Sequence, residues 1–310
     1  MSGPVPDVPA GLMVRPIERM GSSSPWLRKR IADAGVRLHP ASDLARSLAS
    51  LDDMRDKAMH GELFSFPTTD DAYDFFARAV GADFLSKALH WGSECGLTLD
   101  AARWKHMTSG DPIVTKVGPH SNARNFTWEG IIANLASTFA QNVAFDEPDV
   151  CCSFQGKTFA VAAKVAYSEK NLFENVEAGF AQANGKAEGT LVFVDVVNLY
   201  PVIENLRWSR GRHFGHNDEA VSVMKDSFTR WCTRFDLAAT AEKIRSRALH
   251  PVGVAFFAPM FIDMAGQPVP FFYTHLPLTW AGEAGADYEF ARAFLNACNT
   301  VLSFQPASMP

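Results

Sequence analysis

Apolar residues along the chain change their period twice. Between about Pro25 and Gly118 they recur at spacings of three and four, the helical pattern. Ser24-Pro25 reads as a cap followed by a first-turn proline. Thr68-Thr69-Asp70-Asp71 opens a helix that carries Ala72, Phe75, Phe76, Ala79, Val80 and Phe84 on one stripe. Leu97-Thr98-Leu99-Asp100 caps a further short helix. No catalytic signature falls in this stretch, which reads as a helical cap or a partner-binding lobe.

From Phe126 the character changes. Thr127 is a candidate cap for a helix with a core stripe of Ile131, Ile132, Leu135 and Phe139, which places Glu129 in its first turn. Asp149 to Phe154 and Thr158 to Tyr167 form two strands around the turn Gln155-Gly156-Lys157. Ser168 caps a helix that runs to Ala183 and stops at Asn184-Gly185. Thr190 to Val197 is nearly continuous in apolar residues and suits a central strand covered on both faces. A helix over Glu219–Ala248, strands over Val252–Ile262 and Val269–Leu278 with a turn at Ala265-Gly266-Gln267, and a last helix over Tyr288–Leu302 complete the pattern. The order predicts an α/β class with a mixed sheet. It divides the chain into a disordered lead-in over 1–24, a helical N-terminal region over 25–118, and an α/β core with a C-terminal extension over 119–310.

Composition narrows this little. The 310 residues are 47% hydrophobic and 20% charged and include 24 Phe, as expected of a chain with a well-filled interior. A formal charge of −5 argues against a protein that coats nucleic acid nonspecifically, but leaves room for a local basic patch. Five cysteines without a framework spacing suit a reduced, cytoplasmic protein, and the adjacent Cys151 and Cys152 read as packing residues. The proline-rich start has neither a basic head nor an apolar run, so neither a signal peptide nor a membrane span is expected there.

Two charged residues need explaining. Lys164 lies inside Phe-Ala-Val-Ala-Ala-Lys-Val-Ala-Tyr, where a buried ammonium requires a partner. Asp149, at the start of the preceding strand, and Glu129 are the available acids. An ion pair that merely holds the fold and a reactive site both need these neighbours.

Pro148-Asp149 on one strand and Lys164 on the next, in the order helix, strand, strand, helix, strand, resemble the PD-(D/E)xK nuclease superfamily over roughly Phe126 to Pro201. The resemblance implies a restriction-endonuclease-like core with a divalent cation, Mg²⁺ or Mn²⁺, bound by Asp149. It implies that Lys164 polarises the scissile phosphate or orients the attacking water, and that Glu129 completes the metal shell. The motif is degenerate: Ala162 stands where the superfamily has Glu or Asp. Some members carry that acid on the following helix, and Glu177 is the candidate here. At about 100° per residue it lies roughly 40° from Phe173, near the sheet-facing side, with Glu174 turned further out. Gln182 is similar to a helix glutamine common in the superfamily, though an exposed polar residue fits as well.

Further along, Arg207-Trp-Ser-Arg-Gly-Arg-His213 is the densest basic stretch. Arg207, Arg210 and Arg212 could supply phosphate contacts, and Trp208 a stacking surface, or the stretch could be a solvated loop. His120, Asn122 and Arg124 form a weaker candidate cluster, and Asp195 reads as bonded to a loop near Asn198. His213 and His216 lack the companions of a zinc site. Serine-hydrolase, dinucleotide and P-loop signatures are missing from the sequence.

The expected function is therefore a divalent-metal-dependent, nuclease-like protein that hydrolyses the phosphodiesters of DNA or RNA. The alternative is a catalytically inactive nuclease-fold module that binds protein or nucleic acid, for which Ala162 and an acidic balance over 119–200 argue. No membrane partner is expected, and homo-oligomerisation stays open.

Overall fold

A computed structural model describes residues 8–9, 23–146, 149–182, 187–200, 217–245, 251–262, 271–281 and 286–303. A two-residue strand β1 (Val8–Pro9) precedes helices α1 (Ser23–Asp33) and α2 (Asp43–His60), and it pairs with β2 (Leu63–Phe64). Then come α3 (Thr69–Glu94), α4 (Ala101–Thr108) and α5 (Asn122–Ser137). Thr68 and Asp100 cap α3 and α4 as expected, their side chains accepting from the backbone N–H groups of Asp71 and Arg103.

Strands β3 (Gln141–Ala144), β4 (Val150–Phe154) and β5 (Lys157–Val165) follow, then α6 (Glu169–Gln182) and β6 (Gly189–Asp195). After α7 (Asn217–Cys232) and α8 (Leu237–Arg245) come β7 (Pro251–Ile262), β8 (Phe271–His275), β9 (Leu278–Ala281) and α9 (Ala286–Ser303). The single helix expected over 219–248 is thus two, broken where Phe235 and Leu237 turn into the core. The turn expected at Ala265-Gly266-Gln267 and the stop at Asn184-Gly185 lie outside the described residues.

The sheet is mixed and open, in the order β3-β4-β5-β6-β7-β8, with β9 sharing an edge of β7. Strands β5, β6 and β7 are parallel, and the outer pairings are antiparallel. Gln155 (φ 50°) and Gly156 (φ 78°) make the tight β4–β5 turn, where positive φ at both positions matches the strand twist. Each face of the sheet has its own core. Val161, Ala163, Val165, Leu191 and Phe193 pack beneath α5 and α9, whereas Ala162, Val192 and Val194 pack beneath α6 and α7. This is the two-residue alternation of a sheet covered on both sides.

The helical N-terminal region is continuous with this core. Phe84 of α3 stacks on Phe257 of β7 at 5.9 Å, while Tyr73, Ala77 and Val80 of the same helix join the opposite cluster. Burial on several sides explains why the apolar positions of α3 exceed one stripe. Where α3 crosses α5, a Cβ on Gly92 would overlap the Asn134 side chain, so the glycine sets the closeness of the crossing.

Helix α5 begins at Asn122, earlier than expected, and Thr127 is buried within it rather than capping it. Arg124 is the reason. Its side chain is 1% exposed and its Nε donates to Asp195 Oδ2 at 2.8 Å, the aspartate being 0% exposed. Its other nitrogens donate to the carbonyls of Lys116 and Val114, and Asp195 Oδ1 accepts from the N–H of Val197. Arg124 is therefore an internal clamp and not part of a substrate-side cluster. Among the described residues no helix is long and apolar enough to cross a membrane.

Replacing Arg124 by Ala leaves Asp195 buried without its counter-ion. The expected cost is about 3–5 kcal/mol, read as a lower urea midpoint with unchanged slope.

Candidate active site

The C-terminal end of β5 gathers the charged residues. Helix α5, pinned through Arg124, brings Glu129 to this end, and the start of β4 brings Asp149. Asp149 Oδ2 accepts from the backbone N–H of Ala163 at 2.8 Å and from Lys164 Nζ at 2.9 Å. Lys164 thus has its partner inside the apolar strand, and both side chains are mostly buried. Glu129 accepts from Arg103 Nη1 of α4 at 3.1 Å. The Arg103 guanidinium lies 4.1 Å from the centroid of the Phe145 ring. Helices α4 and α5 run antiparallel here, since His106 stacks on Phe126 one turn along, at 4.3 Å.

The electrostatics follow from crowding. Burial, reinforced by the neighbouring Asp149 charge, pushes the Glu129 carboxyl up to about 7 against the opposing pull of Arg103. Burial also raises the Asp149 carboxyl, with Lys164 and the Ala163 N–H holding it back. Two acids in partial conflict therefore face two bases. Near neutrality Glu129 can hold or release a proton.

Position 162 is closed to an acid. Ala162 is fully buried, and α6 passes directly over it at Gly179. A Cβ on Gly179 would lie 3.1 Å from the Ala162 Cβ and 3.1 Å from the Val192 methyl groups. There is no room for a carboxylate, and the position is closed to solvent. Glu177 stands apart from Asp149 and Glu129, with its Oε2 paired to Lys243 of α8 at 2.7 Å and its side chain 26% exposed. The stripe that α6 buries is Leu172, Val176, Gly179 and Phe180, with Phe173 only half-buried, so Glu177 falls on the flank covered by α8. Asn175 is the α6 side chain that reaches the end of β5, donating to the Val165 carbonyl at 2.8 Å.

Among the described residues no three His, Cys, Asp or Glu side chains are grouped as a metal site. Of the expected set, Asp149 and Glu129 lie together at the end of β5, and Glu177 is paired with Lys243. Gln182 is exposed at the end of α6, which runs antiparallel to β5 and so carries it away from Lys164. Arg207, Arg210 and Arg212, with His213 and His216, lie outside the described residues. His120 is exposed beside the Tyr167 ring at 4.9 Å, and the Tyr167 hydroxyl accepts from the Ser121 N–H. Cys152 is buried in the core, which pushes its thiol up to about 12.

Sequence reasoning missed Arg103. On α4 it is followed by Lys105 and His106, so the helix reads as a solvated basic face, and only the fold brings its partner Glu129 alongside. Comparison of the chain with protein-family models, with curated proteins and with solved structures gave no match.

Because folded Glu129 holds its proton more tightly than the unfolded chain does, this group opposes folding wherever the unfolded carboxyl is ionised. The penalty is absent below the unfolded value of 4.5, grows as pH rises, and is complete above about 7. Glu129→Gln removes it, so the variant should gain on wild type between about pH 5 and 8, by at most roughly 3 kcal/mol. Urea midpoints across that range measure the gain, and a constant difference would exclude Glu129 as the titrating group. In a second variant, Ala162→Asp, a carboxylate forced under Gly179 should cost about 3 kcal/mol or more, or prevent folding, as read by thermal unfolding.

Proposed function

We propose that the chain is a divalent-metal-dependent hydrolase of nucleic-acid phosphodiesters, built on a restriction-endonuclease-like arrangement with a two-carboxylate site. The observation that carries this reading is the convergence of Asp149, Lys164 and Glu129 at one end of β5, although the three come from different elements. The donor chemistry suits a small hard cation. Mg²⁺ keeps several waters and needs only one or two carboxylates. Asp149 and Glu129 would hold the ion, which supplies an activated water and a counter-charge for phosphate.

The chain's own residues do the rest. The Lys164 ammonium, oriented by Asp149, offers its remaining protons to a phosphate oxygen or to the attacking water. Glu129 must give up its proton before it can ligate, so metal affinity should rise with pH through about 7.

A second reading has its own support. Each acid already has a base, Lys164 on Asp149 and Arg103 on Glu129, and such a self-neutralised set also suits a nuclease fold retained for binding.

The test is cleavage of labelled single-stranded DNA, duplex DNA and RNA with Mg²⁺, Mn²⁺ or EDTA, beside Mn²⁺ titration calorimetry at two pH values. Wild type should cut only with metal. Asp149→Asn and Lys164→Met should lower the rate on the order of 10²–10⁴-fold, while Glu177→Ala should leave it within about twofold, as surface ion pairs contribute little. Absence of both cutting and Mn²⁺ binding would favour the binding module.

A further inference from the structure

Arg103 has more donors than the described residues use. Its guanidinium carbon lies 4.1 Å from the centroid of the Phe145 ring, and Nη1 donates to Glu129 at 3.1 Å. Among the described residues its other nitrogens have no hydrogen-bond partner, and the side chain is 22% exposed at the rim of the site. A guanidinium seated over a ring, with one nitrogen engaged and the others without a partner among the described residues, can offer a two-point contact to an oxyanion. An arginine recruited only to neutralise Glu129 would need neither the ring nor the further nitrogens.

We propose that Arg103 is the substrate-side anion-binding residue of this site and takes a phosphate oxygen of the nucleic-acid strand beside Lys164. The proposal rests on the hydrolase reading and adds to it a binding residue from the helical region. Lysine could supply the charge at position 103, but not the guanidinium fork.

The experiment uses the full chain in EDTA, so that binding is read apart from catalysis. Fluorescence anisotropy of a labelled short oligothymidylate and the thermal shift given by inorganic pyrophosphate are measured for wild type, Arg103→Gln and Arg103→Lys. Arg103→Gln should weaken oligonucleotide binding about 10-fold or more, reduce the salt dependence by about one phosphate contact, and remove the pyrophosphate shift. Arg103→Lys, which can keep the Glu129 pair and so guards against loss of fold, should recover the salt slope but only part of the affinity. If Arg103→Gln keeps wild-type affinity, salt slope and pyrophosphate shift, Arg103 is a structural counter-ion and the proposal is overturned. If wild type responds to pyrophosphate through Arg103 but binds no oligonucleotide, the anion site stands and the nucleic-acid reading fails. If wild type responds to neither, both are overturned.

Discussion

The buried pair between Arg124 and Asp195 is the constraint on which the placement of the charged cluster at the end of β5 depends. It joins α5 to the end of β6, and through the Lys116 and Val114 carbonyls it also fixes the loop that leads into α5. One turn on, Trp128 donates from its indole nitrogen to the Phe193 carbonyl, a second tie between the same two elements. Glu129 is the next residue, so its position over the sheet is inherited from these bonds. A desolvated ion pair returns little net stability over a well-packed apolar substitute. What it contributes here is placement, since it ties α5 to the end of β6.

The parts of the fold legible in the sequence are those whose burial follows a simple period. The β4–β5 hairpin, the central strand β6, the capped helix α3 and the Ser168-capped α6 all announce themselves by apolar spacing with turn or cap residues at their ends. The start of α5 was hidden because Arg124 is charged yet internal, so its position reads as surface. Strand β3 was hidden for the opposite reason. It is a largely exposed edge strand, and Asn142 adopts a positive φ within it, so no alternation survives to be read.

The same distinction applies to the site. Lys164 could be singled out because a lone lysine in an apolar strand must have a partner, and Asp149 is that partner. Glu177 could not be judged from α6 alone, because what decides its environment is α8, an element some sixty residues later that supplies Lys243. Arg103 lay beyond reach for a similar reason: its role is created by the antiparallel packing of α4 on α5. Each charged side chain is interpretable only with its counter-ion, and counter-ions are set by tertiary contacts that one-dimensional periodicity does not record.

The crossing of α4 on α5 also has a temporal meaning. Arg103 and Glu129 both precede the sheet in chain order, so during vectorial synthesis they can meet while Asp149 and Lys164 are still unmade. In that interval the Glu129 carboxyl lacks the Asp149 charge that later adds to burial in working against its ionisation. The conflict that characterises the mature site arises when the β4–β5 hairpin docks. The chain therefore brings its two acids together only once β4 and β5 are in place beside α5.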